Sequence, residues 1–193
     1  MNNPFIVLSE VVHLLDERGI NYVLVGSLAS SMHGMYRSTT DIDLIANIKP
    51  AQVRSLFEAL QHRFAVDEQA VHEAISEQGS FNAIHFDSVF KVDIFIPRPG
   101  DFAMQQLERR QLRKIPPDSD QKVYVATAED MILAKLQRFS EGGDGADTQW
   151  RDVLGMIGAA GVELDLDYLT PWATELGVSE LLEKALAEAL GRL

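Results

Sequence analysis

The chain contains no cysteine. Disulfides, thiolate zinc sites and thiol nucleophiles are therefore excluded, and this usage fits a reducing compartment. It also lacks any apolar run near the roughly 20 residues that span a bilayer, so no membrane partner is expected. The opening stretch MNNPFIVLSEVVHLLDERG has no basic residue ahead of its apolar run, and Glu10 interrupts that run. It does not read as a signal peptide, and a cytoplasmic location is expected. Internal repeats and low-complexity segments are missing as well. Positive charge is short: 17 Lys and Arg stand against 29 Asp and Glu, a formal net charge of -12. A uniformly acidic surface repels polyanions, which excludes broad coating of nucleic acid and leaves only a local basic cleft for such contacts.

What is present is ordinary globular material. The 193 residues are 46% apolar and 24% charged, enough for one large domain or two small ones with a real core. IVLSEVVHLLDERGI carries apolar residues at Val7, Val11, Leu14 and Leu15, a helical period, with Gly19 where a helix-ending glycine belongs. NYVLVG then reads as a short buried strand, SLASSMHGM as a short helix with Ser27 near its start, and TDIDLIANI as a strand. KPAQVRSLFEALQHRF predicts a helix with Pro50 in its first turn. FNAIHFDSVFKVDIFI predicts two strands around Asp87-Ser88, a hairpin. RPGDFAMQQLERRQLRKI predicts a turn followed by a polar helix or irregular arm, and QKVYVA a final strand. From Thr127 onward the pattern is helical. Thr127 and Asp130 have the spacing of a capping box, opening AEDMILAKLQRFSE, and TQWRDVLGMIGAAG, DLDYLTPWATELG and SELLEKALAEALGRL follow. The expected fold class is α+β: a small mixed β-sheet core flanked by helices in residues 1–126, and a helical subdomain in residues 127–193.

The chemistry concentrates in VLVGSLASSMHGMYRSTTDIDLIANI. In a strand, residues i and i+2 share a face, so Asp41 and Asp43 project together while Ile42 and Leu44 point the other way. Side by side, two carboxylates repel unless a cation lies between them. A divalent metal removes that penalty, and all-oxygen ligation suits Mg²⁺ or Mn²⁺. In KVDIFI, Asp93 shares a face with Lys91 and Phe95. If that strand neighbours the Asp41 strand, three carboxylates converge, the equipment of two-metal phosphoryl or nucleotidyl transfer. The Gly26-Ser27 turn adds a place where backbone can approach a phosphate closely and where a helix N-terminus can face it. Each feature alone has a plainer reading: a surface DxD, a capped turn, a solvent-facing strand residue. Their order along the chain is what points to a site.

That order resembles the nucleotidyltransferase superfamily of DNA polymerase β, whose members carry a Gly-Ser or Gly-Gly turn, a DxD further on, and a third Asp on a later strand. The longer run GSLASSMHGMYRSTTDIDL looks like the small bacterial nucleotidyltransferases related to the abortive-infection AbiE-type toxins, with Arg37, Thr39, Asp41 and Asp43 fitting their Arg-x-Thr/Ser-x-Asp-h-Asp pattern. Glu129, Asp130, Lys135, Arg138, Arg151 and Asp152 match a helical motif of the same family. The resemblance implies that Asp41, Asp43 and Asp93 bind Mg²⁺ or Mn²⁺ and carry the catalysis. It implies that Gly26, Ser27, Arg37 and Lys135 hold the triphosphate of an NTP such as ATP. For Lys135 the alternative is a solvated helix position; Glu129 and Asp130 read as capping groups, and Arg151 with Asp152 as a tie between helices.

The expected activity is metal-dependent transfer of a nucleoside monophosphate from an NTP to an acceptor hydroxyl. The acceptor is tRNA, another macromolecule or a small molecule, and the setting is toxin-like or defensive, with an antitoxin as the corresponding partner protein. An antibiotic nucleotidyltransferase acting on aminoglycosides or lincosamides is one alternative. A catalytically silent nucleotide-binding or toxin–antitoxin module is another, and retention of three mutually repelling carboxylates argues against it. Hydrolysis by the same metals is a third. The basic segment ERRQLRK argues mildly for a polyanionic partner and equally reads as a solvated arm.

Overall fold

A computed structural model describes residues 3–33, 39–88, 90–115, 120–142 and 145–191. The chain divides into two compact units, Met1–Leu28 with Ser38–Ala126, and Ala29–Arg37 with Thr127–Leu193.

The first unit is built on one seven-stranded mixed sheet. Its strands are β1 (Tyr22–Val25), β2 (Asp41–Ala46), β3 (Phe64–Ala65), β4 (Ser80–His85), β5 (Lys91–Phe95), β6 (Gln111–Lys114) and β7 (Lys122–Val125), arranged β3-β4-β5-β2-β1-β7-β6. β2 runs parallel to β5, and β1 parallel to β7; the remaining neighbours are antiparallel. The expected hairpin is therefore present as β4 and β5. Along β2 and β5 the alternation has its physical result: Ile42, Leu44, Val92 and Ile94 are fully buried on one face. Helix α1 (Pro4–Asp16) buries Val7, Leu8, Val11, Val12 and Leu15. Its start is fixed by Asn3, whose side chain accepts from Phe5 N–H at 3.0 Å. It ends before Gly19, which takes φ +61 as a helix-terminating glycine does. Pro50–Gln52 forms a turn of 3-10 helix that leads into α3 (Val53–Leu60), so the predicted helix starts later than its proline.

Three elements of this unit lie beyond the sequence expectations. β3 is two residues long, too short to show a period. α4 (Glu68–Glu77) is capped by Asp67, whose carboxylate accepts from Ala70 N–H at 2.8 Å, and ends on Gln78 at φ 54. The segment expected as a polar helix or irregular arm begins as the helix α5 (Phe102–Arg109) and ends in the unexpected strand β6. β6 is an edge strand with all four residues exposed, so no burial pattern marks it in the sequence, and its Arg113 and Lys114 suit an unpaired edge.

The second unit is helical: α6 (Ala128–Ser140), α7 (Ala146–Ala160), α8 (Leu166–Glu175) and α9 (Ser179–Leu190). α2 (Gly26–Met32) opens at Gly26, in the first unit and one residue ahead of the expected Ser27. Thr127 caps α6 as its spacing predicts, accepting from Asp130 N–H at 3.2 Å. Among the described residues, no helix is long and apolar enough to cross a membrane.

Candidate active site

The register of β2 against β5 decides the arrangement. Asp43 lies opposite Asp93, and Asp41 opposite Lys91. Cross-strand partners share a face of the sheet, so Asp41, Asp43, Lys91 and Asp93 form one polar patch whose reverse is the fully buried Ile42, Leu44, Val92 and Ile94. Asp41, Asp43 and Asp93 are only partly exposed. β5 lies inside the sheet, between β4 and β2, so Asp93 is not on an edge strand. On the other side of β5, Asn82 of β4 stands in register with Asp93 and is exposed.

Thr39 shows why a hydroxyl precedes the DxD. Its Oγ1 accepts from Asp41 N–H at 3.2 Å and donates to Asp41 C=O at 3.1 Å, fixing the first residue of β2. Gly26 has a reason the sequence did not disclose. Val25 stands opposite Asp43, and the Asp43 carboxylate lies against the Gly26 backbone. A Cβ at Gly26 would come within 2.0 Å of Asp43 Oδ2, and the residue takes φ +69. Both conditions demand glycine. Ser27 follows immediately and is half-buried. Arg37, expected on phosphate, lies outside the described residues.

Lys91 is the residue that sequence reasoning passed over. Its Nζ lies 2.8 Å from Asp93 Oδ2 and 3.8 Å from Asp41 Oδ1. The hydrogen bond to Asp93, aided by the charges of Asp93, Asp41 and Asp43, holds its pKa above the ordinary lysine value. The signal was visible as a lysine two residues before an aspartate, on the same strand face.

The donor set suits a divalent cation of the Mg²⁺ or Mn²⁺ type: three carboxylates from two adjacent parallel strands, with oxygen donors only. As the side chains stand, no group of three acidic or histidine residues could hold an ion among the described residues. The ammonium of Lys91 is instead the cation lying against Asp41 and Asp93.

In the helical unit, Lys135 is buried, which overturns the alternative of a solvated position. Its Nζ donates to Asp152 Oδ2 at 2.7 Å and to Gln149 Oε1 at 3.1 Å, tying α6 to α7. Asp152 thus has the helix-tying role its position suggested, whereas Arg151 is exposed and donates within its own helix, to Asp147 and Thr148. Asp130 does not complete a capping box. Its carboxylate is buried and accepts from Tyr168 O–H at 2.5 Å. Glu129 accepts from Asp165 N–H at 3.2 Å, at the start of α8.

Comparison with known proteins bears on the family and the fold. Residues 4–175 match the family described as "Nucleotidyltransferase of unknown function (DUF6036)", and the chain belongs to that family. No curated protein matches the sequence. Among solved structures, an antigenic nucleotidyltransferase-like protein from Paracoccidioides brasiliensis is 18% identical, with a TM-score of 0.57 over 93% of this chain and 90% of that one. The antibiotic-resistance factor ANT(2'')-Ia in solution is 13% identical, with a TM-score of 0.53 over 100% of this chain and 97% of its own. A crystal structure of ANT(2'')-Ia in complex with adenylyl-2''-tobramycin matches at 13% identity and a TM-score of 0.53, over 88% and 94%. At such identities the likeness is one of fold.

Proposed function

We propose that this member of a nucleotidyltransferase family transfers a nucleoside monophosphate from an NTP to a hydroxyl of an acceptor, with Mg²⁺ or Mn²⁺ held by Asp41, Asp43 and Asp93. The observation that carries the reading is the register that sets Asp43 opposite Asp93 on parallel strands, with Asp41 two residues away on the same face. The metal, when bound, supplies the charge that activates the acceptor oxygen and steadies the leaving pyrophosphate. The chain's own residues do the rest. Gly26 and Ser27 offer backbone N–H groups and a hydroxyl to the triphosphate, and glycine is the residue that allows backbone to come that close. Asp93, beside Asp43, takes the proton of the acceptor hydroxyl in this reading. Arg37 and Lys135 enter as further cations for the phosphates, Lys135 in addition to its pairing with Asp152. Residues 1–126 act as the catalytic core, and residues 127–193 as the helical subdomain.

For the acceptor, both tRNA and small hydroxylated molecules of the aminoglycoside or lincosamide type belong to the reading. The net charge of -12 favours a small or cationic molecule over a polyanion, and ANT(2'')-Ia, solved with an adenylylated tobramycin, offers a fold-level parallel. A toxin-like or defence setting rests on the resemblance of the Arg37 to Asp43 run and carries with it an antitoxin partner and a cytoplasmic site of action.

The test is calorimetric titration of each NTP, ATP first, with Mg²⁺, into wild type and the Asp41→Asn/Asp43→Asn double variant. Metal-dependent binding of one NTP, lost in the double variant, is expected. It would license a screen of acceptors with that nucleotide radiolabelled, tRNA and aminoglycosides in parallel. A folded wild-type chain that binds no NTP would overturn the transferase reading and favour a toxin–antitoxin interaction module.

A further inference from the structure

We propose that Lys91 is a positioning residue of this centre: its ammonium is a tethered counter-ion that holds the Asp41 and Asp93 carboxylates in place and gives way when a divalent cation enters. The inference rests on the assignment of Asp41, Asp43 and Asp93 as metal ligands.

Three observations carry it. The first is register. β5 runs parallel to β2 with Lys91 opposite Asp41 and Asp93 opposite Asp43, so the lysine is part of the same patch as the three acids. The second is distance. Nζ is 2.8 Å from Asp93 Oδ2, an ion-paired hydrogen bond, and 3.8 Å from Asp41 Oδ1. The third is accessibility. The Lys91 side chain is 42% exposed and that of Asp41 49%, against 20% for Asp93. A lysine on a flexible four-carbon stem, with its ammonium near water, can swing off a carboxylate at small cost. A buried partner could not.

The physical logic is that of competing cations. Three carboxylates on two neighbouring strands repel one another, and an uncompensated set would protonate or splay apart. One ammonium among them removes much of that penalty in the metal-free protein. A divalent ion brings twice the charge and coordinates oxygen directly, so it displaces the ammonium, but it must break the Lys91–Asp93 bond to do so. Wild-type affinity for the metal alone is therefore lower than the carboxylates could give. Once released, Lys91 remains on the site face as a mobile positive charge.

The experiment is direct titration of Mn²⁺ into the nucleotide-free full chain, following the free-ion signal by electron paramagnetic resonance. Wild type, Lys91→Met, Lys91→Arg, Asp41→Asn and Asp93→Asn are compared, and thermal melts in EDTA confirm that each is folded. Lys91→Met should bind Mn²⁺ roughly threefold to fivefold more tightly than wild type, the factor that loss of one half-exposed ion pair corresponds to. Lys91→Arg keeps the charge and should bind at or below the wild-type affinity. Lys91→Gln serves if Lys91→Met does not fold. A residue that merely braced the strands would not raise metal affinity when removed. Unchanged or weaker Mn²⁺ binding in Lys91→Met, with binding lost in Asp41→Asn and Asp93→Asn, would overturn this proposal and leave the ligand assignment standing. Equal Mn²⁺ binding in wild type, Asp41→Asn and Asp93→Asn would overturn the ligand assignment, and this proposal with it.

Discussion

Two lysine–aspartate pairs of nearly equal length sit in opposite surroundings. Lys91 and Asp93 are 2.8 Å apart on the sheet, with 42% and 20% of their side chains exposed. Lys135 and Asp152 are 2.7 Å apart between α6 and α7, with 6% and 4% exposed. Contact geometry alone would rate them alike. Their surroundings do not. Removing one partner of a buried pair strands a charge in a low-dielectric interior, whereas a half-exposed charge is taken up by water. The first pair is therefore exchangeable, which is what a site requires, and the second is a structural tie.

The largest effect that sharpens this contrast is at Asp152. Asp152→Ala should cost about 3–5 kcal/mol, since it removes the carboxylate that pairs with the buried Lys135 ammonium. The loss is read as a drop in thermal midpoint of the whole chain. A melt that barely moves would mean the pair is solvated in solution, and the contrast between the two lysines would collapse. It also bears on Lys135 as a phosphate contact: loss of activity in a Lys135 variant counts as evidence of binding only where the variant is folded.

The next effect is at Gly26. Gly26→Ala places a Cβ at φ +69, which costs an L-residue about 1–2 kcal/mol by itself. It also drives that Cβ into Asp43, whose Oδ2 would lie 2.0 Å away. Asp43 must move, so the variant should lose stability and Mn²⁺ binding together. A variant that melts lower but binds Mn²⁺ as wild type does would separate the backbone strain from the carboxylate's position.

Much of the first unit was legible because period-2 alternation in β2 and β5 marks one face as buried, and that face turned out to contain Ile42, Leu44, Val92 and Ile94 with no exposure at all. The strand carrying Asp93 could be read, and so could the need for it to neighbour β2. The register that sets Asp43 rather than Asp41 opposite Asp93 could not, because pairing is settled by long-range contacts that leave no local trace. For the same reason Lys91 stood in plain view as a same-face residue with no partner to give it meaning. β6 was hidden by the opposite cause: all four of its residues are exposed, so polarity alone suggested an arm. In the helical unit, the spacing of Thr127 and Asp130 correctly marked a helix start. It could not show that Asp130 turns to Tyr168, 38 residues on, instead of closing the box.

The smallest effect is the most discriminating. Asp93→Asn, measured in EDTA, should shift stability by no more than about 1 kcal/mol in either direction. Two consequences nearly cancel. The Lys91 ammonium loses its ionic partner at 2.8 Å, but its half-exposed position lets water and Asp41, 3.8 Å away, compensate. One negative charge also leaves a patch of three, which relieves the repulsion between Asp43 and its register partner. A large destabilisation, comparable with that expected for Asp152→Ala, would show that the sheet depends on Asp93 as the helices depend on Asp152. In that case the exposed pair is a structural tie as well, and the carboxylates are held there for the fold.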